Sequence, residues 1–228
     1  MNFNALAWAA VCFYYRSVGD KKYSRIMSDT PFIRKLRKAP FDTTVQEFEE
    51  KLILDYVNIE SYDLLLGHKF AEAVLARIVE LQPQTSSFQN TTILDCDLSD
   101  DDIVGRINRI YAGLYTIYGM RLTGASKILH VLHDRLFPIM DSRISDYFSL
   151  VDGETKLIEW MKLVQQNARE VTKDFHEQGF SGSPETFLSD KLGYTRCGYE
   201  KSLVKFIDEY FYLSVGDNLP VPPTWVPS

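Results

Sequence analysis

The chain has 228 residues, 45% hydrophobic and 25% charged, enough apolar content to bury a core in one domain or two small lobes. Its formal net charge of -6 excludes a protein that blankets nucleic acid, because phosphate contacts need Lys and Arg, but allows a small local basic footprint. Cys12, Cys96 and Cys197 are odd in number and far apart, so free thiols in a reducing compartment are expected rather than a disulfide framework.

Phe3 to Arg16 reads as a buried first helix ending near Gly19. It lacks the basic start and cleavage site of a secretion signal. Its apolar run, Phe3 to Tyr15, at about 13 residues is also too short to cross a bilayer. No other segment is long enough, so a cytoplasmic chain without a membrane partner is expected. A basic connector follows, with Lys21, Lys22, Arg25, Arg34, Lys35, Arg37 and Lys38 around Tyr23 and Phe32. Thr43 or Thr44 then caps a helix to about Tyr56, with Glu47 at capping-box spacing from Thr44. Phe48, Leu52 and Tyr56 give that helix one apolar face.

Leu64 to Leu81 is the next long helix. The polar run from Pro83 to Thr92 marks a loop, and residues 83–98 a boundary between two lobes with a cleft. Ser99 with Asp100, Asp101 and Asp102 starts a helix, since acids favour its N-terminal end. Ile103, Ile107, Ile110, Leu114 and Ile117 line that helix, which stops near Gly119. Asp141 caps a short helix from Ser142 to about Phe148. Glu154 to Gln178, a segment opened by Ser183-Pro184-Glu185, and Tyr199 to Ser214 complete the helices. Thr91 to Leu94 is the one weak strand candidate. Residues 219–228 hold four prolines and form a non-helical tail. The fold class is therefore all-α: a compact multi-helix array, one domain over residues 1–218.

The segment Leu122-Thr-Gly-Ala-Ser-Lys-Ile-Leu-His-Val-Leu-His-Asp-Arg-Leu-Phe-Pro-Ile-Met-Asp-Ser-Arg-Ile144 is the most informative in the chain. A Gly-bearing turn opens an amphipathic helix, a proline-marked connection follows, and Asp141 stands before the next helix. This arrangement resembles the hairpin and catalytic-aspartate segment of the helix-hairpin-helix DNA glycosylase superfamily, especially divergent members related to 8-oxoguanine glycosylases. The likeness covers roughly Ser99 to Leu150 and places a helix-hairpin-helix element near residues 105–133.

The resemblance implies DNA as partner and hydrolysis of the N-glycosidic bond of a modified, extruded base. Gly124, Ala125 and Ser126 would grip a phosphate through backbone N-H groups, with Ser126 in place of the family's second glycine. Asp141 would stabilise the positive charge growing on the sugar and orient water. Bifunctional members carry a lysine that forms a Schiff base. Lys127 falls one residue before that position, which is Ile128 here. One residue turns a helical side chain by about 100 degrees, which directs Lys127 toward the DNA backbone and implies monofunctional hydrolysis.

Arg106, Arg109 and Arg143 would add phosphate contacts, with Lys35 and Arg37 of the connector. No cofactor is expected, since the iron-sulfur cluster of some members needs four clustered cysteines. His130 and His133 share a face with Lys127 but lack further ligands in sequence, so no metal is expected. The capping role of Asp141 and the acidic charge keep two alternatives open. One is a catalytically silent glycosylase-like binding or regulatory module, for example in phage or mobile-element defence. The other is a helical adaptor with no nucleic-acid role.

Overall fold

A computed structural model describes residues 1–57, 64–150 and 156–217. Its regular structure is helical, at 74% helix and no strand among the described residues. The helices are α1 (Phe3–Arg16), α2 (Val18–Ser28), α3 (Thr30–Lys38), α4 (Val45–Phe48), α5 (Leu64–Ser86), α6 (Asp101–Tyr115), α7 (Leu122–Leu132), α8 (Ser142–Tyr147), α9 (Lys156–Glu177), α10 (Pro184–Leu192) and α11 (Leu203–Phe211). Wider π-helical turns continue α4 over Glu49–Val57 and α11 over Tyr212–Gly216.

Side-chain caps set most of these boundaries. Asn2, Ser17, Asp29, Thr44, Asp100, Asp141, Ser183 and Ser202 each accept a first-turn N-H of the helix that follows, satisfying donors that have no partner within the helix. The basic connector is accordingly two helices, α2 and α3. Ser17 and Asp29 start them, Pro31 favours the first turn of α3, and the cations are exposed or half-buried while Tyr23, Ile26, Phe32 and Leu36 are buried. Thr91 to Leu94 forms turns, not a strand. Pro83 lies inside α5, which runs on to Ser86. The proline tail and the expected helix start at Glu154 lie outside the described residues.

One apolar cluster draws on both sides of residues 83–98. It joins Phe3, Tyr23, Phe48 and Leu52 to Ile128, Trp160 and Phe206. Each such side chain contributes about 1.5–3 kcal/mol on burial. The first helix packs on α11, flanked by α9 and α10, while α6 bridges α5 and α7. Every residue from Leu203 to Glu209 is buried, so α11 carries its charges into the interior. No helix among the described residues is long and apolar enough to cross a membrane.

Candidate functional site

A cavity of about 330 Å³ opens at the N-terminal end of α7, at the small end of the range for ligand pockets. Thr123 and Lys127 of α7 line one wall, and Ile139 and Asp141 of the following connection line another. Lys22 of α2, Tyr56, and Lys205, Asp208 and Tyr212 of the C-terminal helix complete it.

The connection is fixed from two sides. Met140 donates its N-H to Ser126 Oγ at 3.0 Å. Trp160, wholly buried, donates its indole N-H to the Ile139 carbonyl at 2.9 Å. Asp141 follows directly. Its Oδ1 accepts the Arg143 N-H at 2.8 Å and lies 3.3 Å from Arg143 Nε. Among the described residues Oδ2 has no partner. Capping and an available carboxylate oxygen thus coexist in Asp141. The Arg143 guanidinium stacks 4.8 Å from the centre of the Tyr212 ring. Its hydrogen bond to Tyr212 and the charge of Asp141 raise its pKa.

Lys127 lines the same cavity as Asp141. Its side chain reaches across Tyr56. Its Nζ donates to the Tyr56 and Val57 carbonyls at 3.2 and 3.5 Å and sits 5.3 Å from the Tyr56 ring centre. No carboxylate lies within ion-pair distance among the described residues. Burial lowers its pKa, and the nearby positive charge of Lys205 adds to the effect. The Tyr56 hydroxyl is buried without a hydrogen-bond partner.

The expected phosphate grip sits differently. The turn between α6 and α7 spans residues 116–121, with Gly119 in the left-handed region at φ 86°. Gly124, Ala125 and Ser126 lie inside α7 and are buried. Gly124 faces Met120 and Val57, where a Cβ would stand 3.0 Å from Met120 Sδ. The N-terminus of α7, at Arg121, has no side-chain cap, so its first-turn N-H groups are the ones left for an anion.

The remaining expected contacts are scattered. On α6, Arg106 stacks on Phe88 and donates to Ser87, and Arg109 is exposed. Lys35 pairs with Glu47. Arg37 donates to Asp134 at 2.7 Å and to the Val131 carbonyl at 2.8 Å, at the other end of α7. The two histidines do not form a metal pair. Nδ1 of His130 lies 2.7 Å from the Phe137 carbonyl and Nε2 lies 3.2 Å from the Tyr23 hydroxyl. A carbonyl only accepts, so Nδ1 carries the proton and Tyr23 donates to Nε2. Burial holds both His130 and His133 down to about 4. No cluster of three or more potential metal ligands occurs among the described residues.

A buried charge network borders the cavity. Lys201 Nζ contacts Asp20 Oδ1 at 2.5 Å, the Tyr194 hydroxyl at 2.7 Å and Glu209 Oε1 at 2.8 Å. Lys205 Nζ pairs with Asp208 at 2.5 Å and lies 3.7 Å from Glu209. Burial alone would lower the Lys205 pKa, but Asp208 and Glu209 reverse the shift and raise it. The pair Lys205–Asp208 faces the cavity. One signal in the sequence points to this network: Lys201, just before α11, and Lys205 and Glu209 within it recur at four-residue spacing.

No family model, curated protein or solved structure was found to match the chain.

Proposed function

We propose that the protein binds DNA and cleaves the N-glycosidic bond of a base extruded into the Asp141 cavity. One juxtaposition carries this reading: a lysine without a carboxylate partner among the described residues and a carboxylate with one unengaged oxygen line a single recess of nucleobase size. The unpartnered Tyr56 hydroxyl and the Tyr212 ring supply a hydrogen-bond donor and an aromatic wall. The uncapped start of α7 and the Lys22 cation support a phosphate beside the recess.

In this reading Asp141 faces the sugar as positive charge develops on C1′. Lowering the pKa of Lys127 increases the fraction of neutral amine at ordinary pH, the form a nucleophile requires. Its nitrogen bonds to C1′ while the base departs with the electrons of the glycosidic bond and takes the proton that the attacking amine gives up; breaking the bond from C1′ to the ring oxygen then opens the sugar and leaves the Schiff base that borohydride reduces. The position of Lys127 thus favours amine chemistry over the purely hydrolytic route implied by the sequence offset.

Borohydride reduction of the protein with duplexes carrying a panel of modified bases tests this assignment. A covalent complex absent in Lys127→Ala supports it. Base release without any trapped complex assigns the attack to water and leaves Lys127 a positioning cation. Binding without release identifies a silent DNA-binding module, the alternative that the acidic composition favours.

A further inference from the structure

A larger cavity, about 630 Å³, lies at the C-terminal end of α7, between α3, the turn at residues 86–92 and the loop at residues 132–136. We propose that it is a second ligand site, taking the phosphate of a nucleotide, free or within a single strand. It is independent of the Asp141 cavity and shares no lining residue with it.

Charge favours a phosphate here. Arg34, Arg37, Lys38 and Arg135 line the cavity against Asp134 and Glu200, a local positive excess in a chain of net charge -6. The carboxylates are already engaged. Asp134 holds Arg37 at 2.7 Å and Glu200 holds Arg135 at 2.8 Å. Arg34 and Lys38 remain. They are exposed, stand one turn apart on α3, and have no ion-pair partner among the described residues. Two unpaired cations on one helical face suit a phosphate, whether terminal or in a strand.

The cavity is also preorganised. Arg37 is held by the Val131 carbonyl and by Asp134, which uses two of its five N-H donors and leaves the rest in a fixed fork. The opposite wall explains the choice of a nucleotide over bare phosphate. Gln89, Asn90 and Thr91 line it, and their side chains make no hydrogen bond among the described residues. Amide side chains offer paired donors and acceptors of the kind that base edges match. The cavity has room for a base and sugar beside the phosphate.

Calorimetric titration of the full chain with adenosine diphosphate, inorganic phosphate and a short single-stranded oligothymidine tests the site. The comparison is between the native protein, Arg34→Glu/Lys38→Glu, and the charge-matched control Lys162→Glu/Lys173→Glu on α9. Saturable binding of the nucleotide or the strand is expected, tighter than that of inorganic phosphate. It should weaken on the order of tenfold or more in the α3 variant and stay unchanged in the control. Binding of the diphosphate identifies a free nucleotide as the source, and binding of the strand alone identifies a polymer. Absence of saturable binding by both, or equal weakening in the control, overturns the proposal. Should the charge reversal disturb folding, Arg34→Gln/Lys38→Gln is expected to show the same weakening, and undiminished binding in that variant overturns the proposal equally.

Discussion

Ser126 Oγ accepts the N-H of Met140 at 3.0 Å, tying the first turns of α7 to the residue directly before Asp141. Ser126 is wholly buried, and its own hydroxyl proton goes to the Thr123 carbonyl at 3.1 Å. Ser126 therefore positions the connection. In Ser126→Ala the buried Met140 N-H is left without a partner. The expected destabilisation is about 1–3 kcal/mol, read as a lower urea midpoint at unchanged slope. A midpoint equal to that of the native protein would remove Ser126 from this role.

The buried ammonium of Lys201 should be among the most sensitive positions in the fold. Replacing it with Met leaves the carboxylates of Asp20 and Glu209 buried, with Asp20 keeping only the Tyr194 hydroxyl. Breaking a buried pair in this way costs about 3–5 kcal/mol. Lys201→Met/Glu209→Met should recover part of that loss, because one orphaned charge is removed with its partner. Losses in the double variant equal to the sum of those in Lys201→Met and Glu209→Met would show that the two residues are not coupled.

Acid should weaken the fold through His130. Its pKa is near 6.5 in the unfolded chain and about 4 in the folded one, where burial disfavours the charged ring. Between these values the unfolded state binds more protons, so stability is complete above about pH 6.5 and declines as pH falls toward 4. Each such histidine contributes a slope of up to about 1.4 kcal/mol per pH unit, and His133 acts in the same direction. Urea midpoints between pH 5 and 7 should fall less steeply in His130→Gln than in the native protein. Parallel slopes would contradict the assignment.

Space at Gly124 gives a further test. A Cβ there would stand 3.0 Å from Met120 Sδ and 3.5 Å from Val57 Cγ1. Alanine requires only a shift of the flexible methionine, and the helix gains about 0.5–1 kcal/mol from losing a glycine. Valine adds two methyl groups toward Val57 and Met120. Thermal melts should place Gly124→Ala within a few degrees of the native protein and Gly124→Val clearly below it. A valine variant as stable as the alanine variant would show that this contact yields freely.

The parts of the fold legible in sequence are those decided locally. Asn2 and Ser183 cap α1 and α10 where polar residues precede apolar runs, and Asp100 starts α6. The segment Lys21 to Lys38 misleads because its cations outnumber the few apolar residues that face the core. Asp141 and Lys127 stand out through a recognisable local pattern, yet which way Lys127 points depends on Tyr56, far away in sequence. Lys201 and Asp20 are 181 residues apart. Only folding brings them together, so neither neighbourhood alone reveals their burial.

If the Asp141 cavity breaks N-glycosidic bonds, the product is a free base. Mass spectrometry can detect that base directly after incubation of the native protein, or of Asp141→Asn, with duplexes carrying a panel of modified bases. Release of at least one base is expected, reduced on the order of 100-fold or more by the neutral amide, the scale of one well-placed electrostatic group. Release that survives Asp141→Asn unchanged, or no release of any base in the panel, would contradict the assignment of this cavity.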